Sequence, residues 1–100
     1  MPKFIIAPRA KADLKKIGRY TQNKWGIKQR NNYLFGLNHR FQWLTGHPRA
    51  GTHRSDIAEG YYSFPHERHT IFYTLSDNGN VNIIGIVGAG QSPEKYFENL

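Results

Sequence analysis

The chain contains no cysteine. That absence excludes disulfides, thiolate metal sites and a cysteine nucleophile. No apolar run approaches the ~20 residues that cross a bilayer. The short apolar stretch in MPKFIIAPRAK is followed by no small-residue cleavage site, so neither a membrane span nor a secretory leader is expected. Repeats and low-complexity linkers are missing as well. Acids are scarce in one half of the chain. Residues 1–54 hold twelve Lys or Arg and one acid, Asp13, whereas residues 55–100 hold two bases, Arg68 and Lys95, and six acids. With 100 residues and a formal charge of +7, the expectation is one cytoplasmic domain, residues 1–100, with a modest core. Its basic half favours an anionic partner such as nucleic acid, a ribosome or an acidic protein segment. A solvated helix surface accounts for scattered Lys and Arg equally well.

What is present reads as an ordered set of elements. Phe4 to Ala7 forms a short strand. Pro8 suits the first turn of a helix, where its missing N–H costs nothing. Ala10, Leu14, Ile17 and Thr21 recur at helical spacing, with Lys11, Lys15, Lys16 and Arg19 mostly elsewhere around the helix. Trp25-Gly26 ends it. A second helix carries Tyr33, Leu34, Leu37, Phe41 and Leu44 on one face and stops at Gly46-His47-Pro48. So short a connection predicts an antiparallel hairpin. Residues 49–59 are polar and irregular. Tyr61 to Phe64 is a strand, Pro65 to Arg68 a turn, and His69 to Leu75 a strand of β-formers. Ser76-Asp77-Asn78-Gly79-Asn80 is a turn. Val81 to Val87 is apolar on both faces and so reads as a central strand. Ser92 caps a short terminal helix. The order β-α-α-β-β-β predicts an α+β fold, with a helical hairpin packed on one face of a mainly antiparallel sheet.

Several chemical readings are weak. Gly85-x-x-Gly88-Ala89-Gly90 follows a strand as a phosphate loop would, but only ten residues remain for a helix, and no Lys-Ser/Thr pair follows. A flexible strand exit explains these glycines better. Five histidines show no metal-ligand pattern, so no metal and no cofactor are expected. His66 reads as a turn residue. Asp56 is expected to tie its loop to a backbone N–H or an arginine. Trp25, Tyr33, Phe41 and Trp43 fit core packing better than base stacking.

The ordered series Ala12-Asp13-Leu14, Tyr20-Thr21, Trp25-Gly26, Gln29-Arg30, Pro48, Gly51, Asp56-Ile57, Gly60-Tyr61, Phe64-Pro65 and His69-x-Ile71-Phe72-Tyr73 resembles the ParE toxins of the RelE/ParE superfamily. The likeness runs from Phe4 to about Phe97. It implies a toxin that inhibits DNA gyrase by protein–protein contact, without catalytic residues of its own. The toxin would be neutralised by a ParD-type antitoxin and would not itself bind specific DNA sequences. In such a fold Leu14, Ile17, Tyr33, Leu34 and Leu37 would line or support a groove for an antitoxin segment. Lys11, Lys15, Arg19, Lys28 and Arg30 would steer it electrostatically. Family members commonly carry His and Arg where Gly88 and Gly90 stand, and often Arg at Tyr62. Together with Arg68 and His69, these positions are the candidate target contacts, and Tyr62, Gly88 and Gly90 are expected to lie near one another. Two further readings stay open: a RelE-like mRNA endonuclease, disfavoured by the sparse bases of the second half, and a degenerate toxin that only binds antitoxin. Natural and introduced glycines are equally compatible with the sequence.

Overall fold

The computed structural model describes residues 2–98. β1 (Phe4–Ile6) leads into two long helices, α1 (Pro8–Trp25) and α2 (Ile27–Gly46). They are joined by Gly26 alone, at φ +93°, a conformation only glycine adopts cheaply. β2 (Thr52–His53), β3 (Tyr62–His66), β4 (His69–Leu75), β5 (Val81–Gly88) and a single turn, α3 (Pro93–Tyr96), complete the fold. The sheet order is β1-β5-β4-β3-β2. β1 runs parallel to β5, and every other pair is antiparallel. Ser92 caps α3, its hydroxyl accepting from the Lys95 N–H.

Three features depart from the sequence reading. β2 is a two-residue edge strand within the stretch read as irregular, formed because Thr52 and His53 pair with Ser63 and Tyr62. β3 continues through Pro65 to His66, leaving only Glu67 and Arg68 in the turn. β2 flanks only Tyr62 and Ser63, so Pro65 sits on an open edge where no ladder N–H is required. Third, the sheet is covered on both faces. Ala10, Ile17, Leu37, Phe41 and Leu44 of the hairpin pack on Ile71, Tyr73, Val81, Ile83 and Ile86. On the other face Phe97 packs with Phe72 and Val87, flanked by Ile57, Tyr61 and Ile84.

A bulge makes the double coverage possible. Tyr73 pairs with Ile83 but Phe72 pairs with Gly85, leaving Ile84 unmatched. The extra residue shifts the alternation of side chains by one. Ile83 and Ile86 therefore share the hairpin face, while Ile84 and Val87 share the other. Gly85 leaves room on that second face for Tyr96: a Cβ there would lie 2.7 Å from the ring. A further tie fixes the loop after α2. The Tyr73 hydroxyl donates to the Pro48 carbonyl and accepts from the Gly51 N–H, both at 2.9 Å.

Candidate functional site

The two exposed sides of α1 form different surfaces. On the outer side, Gly18 lets α2 approach closely, since a Cβ there would meet Leu34 Cδ1 at 3.2 Å. Leu14, Gly18 and Leu34 line a groove of about 500 Å³ that is flanked by Lys15, Arg19 and Arg30. Arg30 donates to Gln22 Oε1 at 2.6 Å and to Asn31 Oδ1 at 2.9 Å, which bridges the hairpin without neutralising its charge.

On the inner side, α1 lies along the part of β5 that extends past β1. Pairing with β1 ends at Ile83, whose carbonyl accepts from the Ala7 N–H. The next edge groups are met by side chains instead. Asp13 accepts from the Ile86 N–H at 3.0 Å and from the Tyr96 hydroxyl. Gln91 accepts from the Gly88 N–H at 2.7 Å. Arg9 lies 3.8 Å over the Tyr96 ring and donates to the Tyr96 carbonyl. Burial, together with the hydrogen bond to Asp13, pushes the Tyr96 phenol far up. The single acid of the basic half thus serves as an edge cap and a latch for α3. Its isolation among bases was the only sequence signal of this role.

At the adjoining end of the sheet His69 pairs with Gly88, and the Ala89 N–H donates to the Arg68 carbonyl. Tyr33 reaches over from α2, its hydroxyl 2.6 Å from His69 Nδ1. Burial, then the Glu67 charge, raises Tyr33 to about 12, and burial lowers His69, with the neighbouring His66 adding to the effect. The phenol and imidazole share one hydrogen bond, and the Tyr33 hydroxyl also lies 3.4 Å from the His66 carbonyl. His66 is no surface turn residue: it ends β3 opposite His69, half-buried and edge-on to Tyr33 at 5.9 Å. Its Nε2 lies 3.4 Å from Glu67 Oε2, without hydrogen-bond geometry. Burial lowers its pKa too. Asp56 pairs with Arg54 at 3.1 Å, and that hydrogen bond holds its carboxyl below the ordinary range.

The structure therefore sorts the residues singled out from sequence. Leu14, Lys15, Arg19, Arg30 and Leu34 share the outer groove. Lys11 continues the same stripe one turn earlier, and Lys28 is exposed on the first turn of α2. Ile17 and Leu37 are core residues that support the hairpin from beneath. Tyr33 faces the opposite side. Arg68, His69, Gly88 and Gly90 gather at one corner, but Tyr62 does not join them. It pairs with Tyr73, four residues along β4 from His69, and its ring is buried and stacked on Tyr73 at 5.3 Å. At ~3.3 Å per residue this places it about 13 Å away. Among the described residues no cluster of three or more His, Asp or Glu is arranged to hold a metal, and no helix is long and apolar enough to cross a membrane.

A family model described as "ParE toxin of type II toxin-antitoxin system, parDE" matches residues 4–93. The chain belongs to the ParE toxin family. Toxin ParE1 of Mycobacterium tuberculosis is 28% identical over 85 residues, covering 85% of this chain and 87% of that protein. Toxin ParE1 of Caulobacter vibrioides is 30% identical over 75 residues, 75% and 78% of the two chains. A solved structure titled "Chromosomal ParDE TA system from P. aeruginosa" shares the fold, with a TM-score of 0.74 over 88% of this chain and 95% of that one at 16% identity. The ParE match takes in the exit through Gly88 and Gly90 and stops at Pro93, so the latch residue Tyr96 lies beyond it.

Proposed function

We propose that this ParE-family chain acts as a single toxin domain in the cytoplasm and inhibits DNA gyrase by protein–protein contact, without catalysis. In this reading a ParD-type antitoxin neutralises it by seating an acidic, apolar-faced segment in the outer groove. The observation that carries the reading is the ParE family match across residues 4–93. The groove adds physical support. It has an apolar floor of Leu14 and Leu34 and a basic rim of Lys15, Arg19 and Arg30, which suits a segment carrying both characters. The corner of Arg68, His69, Gly88 and Gly90 is the proposed target contact.

The test is ATP-dependent supercoiling and trapped DNA cleavage by gyrase, with and without antitoxin. Inhibition that antitoxin reverses is expected. Rapid loss of translation on induction, with gyrase unaffected, would instead point to mRNA cleavage. A second reading, a degenerate toxin, rests on the two glycines at the corner. Both positions accept side chains. A Cβ at Gly90 would meet no atom within 4 Å, and one at Gly88 would meet only the movable Gln91 side chain, at 3.3 Å. Gly88→His with Gly90→Arg is expected to raise toxicity while leaving antitoxin affinity intact. Unchanged toxicity from the folded double variant would remove this corner from the target interface.

A further inference from the structure

α1 carries a second basic stripe that the proposed antitoxin groove does not use. Arg9 and Lys16 lie about two turns apart, Lys24 lies roughly two turns further on, and all three border hollows distinct from the outer groove. Two hollows run beside them. The first, about 660 Å³, lies between α1 and the β5 exit and is lined by Arg9, Lys16, His69 and Lys95. The second, about 400 Å³, is lined by Lys24, Trp25, Tyr33 and Arg68. Tyr20 borders both, so the two hollows adjoin and together make a broken trough along the helix. From Arg9 to Lys24 the helix rises about 22 Å, room for several nucleotides.

The charges of this trough are uncompensated. Its only carboxylates are Asp13 and Glu67. Asp13 is engaged by the Ile86 N–H and the Tyr96 hydroxyl, and Glu67 lies 3.4 Å from the His66 imidazole and makes no salt bridge with a cation of the trough. Among the described residues the one ion pair between fixed charges is Arg54–Asp56, so Arg9, Lys16, Lys24, Arg68 and Lys95 have no acidic partner. Two large aromatic rings stand in the same trough, Tyr20 60% and Trp25 64% exposed. Converging unpaired cations ask for a polyanion, and flat exposed rings ask for planar groups. An acidic peptide meets only the first requirement. Duplex DNA offers its bases already stacked on one another.

We propose that this trough binds single-stranded nucleic acid without sequence preference, with unpaired bases stacking on Tyr20 and Trp25 and phosphates following Lys16, Lys24, Arg68 and Lys95. The proposal does not depend on the gyrase reading, and its test contains neither gyrase nor antitoxin. Fluorescence anisotropy of labelled oligo(dT) and oligo(U) of about twelve nucleotides is measured with the purified full chain. Saturable binding is expected for both. Kd should rise with salt at a log–log slope of roughly 2–3, for three to four phosphates on a single strand. Lys16→Glu with Lys24→Glu, and separately Tyr20→Ala with Trp25→Ala, should each weaken binding by about tenfold or more. Lys11→Glu with Lys15→Glu, on the outer side, should change it by less than about threefold. All these side chains are exposed, and circular dichroism verifies each fold. Absence of saturable binding at low salt would overturn the proposal. So would equal losses from inner and outer charge reversal, tighter binding of a matched duplex, or tighter binding of an oligo-glutamate of equal charge.

Discussion

The two sides of α1 each display three cations, Lys11, Lys15 and Arg19 outside and Arg9, Lys16 and Lys24 inside, yet they are built on different principles. Among the described residues the outer side has no acid, and its polar tie between the helices is the Arg30–Gln22 hydrogen bond. Its form comes from absence, a buried glycine that draws Leu34 of α2 close and leaves an apolar floor. The inner side is organised by Asp13, which substitutes for a missing strand neighbour of β5 and holds the far end of the chain. One side is an apolar surface available to a helix or strand. The other is a polar framework in which Arg9 is held by Tyr96 while Lys16 and Lys24 find no acidic partner among the described residues. Equal charge therefore does not mean equal partners.

This contrast can be broken at several points. The largest effect expected is from Leu34→Glu, which places a charge on the outer floor. Antitoxin affinity measured by calorimetry should fall by about 100-fold or more, as for a central apolar anchor, while oligonucleotide affinity stays within about twofold. An equal loss of both would merge the two surfaces into one. Next, Asp13→Ala leaves the Ile86 N–H and the Tyr96 hydroxyl without their acceptor. Urea unfolding should report a loss of about 2–3 kcal/mol, with antitoxin affinity of the folded fraction unchanged. A neutral result would deny the inner side its structural role. Tyr73→Phe, which touches neither side, should cost about 1–2 kcal/mol by freeing Pro48 and Gly51, and so calibrates the Asp13 result. Raising salt from about 50 to 200 mM should slow antitoxin association several-fold with little change in dissociation; an unaffected association rate would rule out steering by Lys15 and Arg19.

The smallest effect is with pH. His66 and His69 both titrate below their ordinary value of 6.5 in the folded protein, chiefly through burial. His69 is faced by Tyr33 of α2, His66 of β3, Asp13 of α1 and Glu67 of the turn. The unfolded chain takes up protons first as pH falls through 6.5, so stability should be flat above pH 7 and decline toward pH 5. Replacing both histidines with glutamine should flatten that decline in a thermal-melt series. A slope of the opposite sign would mean that these imidazoles are charged in the native state.

Legibility from sequence followed the range of the interactions. The hairpin, the Asn78-Gly79 turn and the Ser92 cap depend on neighbours a few residues apart, and each is readable from spacing. β2 is not, because two residues become a strand only when Tyr62 and Ser63 come alongside. Nor is the bulge at Ile84, which is specified by packing on two faces at once. The same bulge explains why an all-apolar run reads as an interior strand but cannot be assigned face by face. Pro48, Gly51 and Tyr73 stand in the sequence as separate motif residues, and the structure shows them as one hydrogen-bonded unit. The outer groove is legible in part: Leu14, Leu34, Lys15, Arg19 and Arg30 line it, whereas Ile17 and Leu37 lie in the core and Tyr33 on the other side. The inner trough is not, because its walls come from α1, the β3–β4 turn and the segment after β5. Sequence alone puts Tyr62 in the wrong neighbourhood, because adjacency of strands does not fix their register.

The latch from Arg9 and Asp13 to Tyr96 has a consequence for the moment of synthesis. Tyr96 is added to the chain well after Gly46, the end of the hairpin, so α1 is made with its inner side unclosed and β1 without its partner strand. Contacts of such sequence separation form last. The inner side is therefore closed only when the segment through Tyr96 has been made, and until then Asp13 and Arg9 lack the partners that fix them.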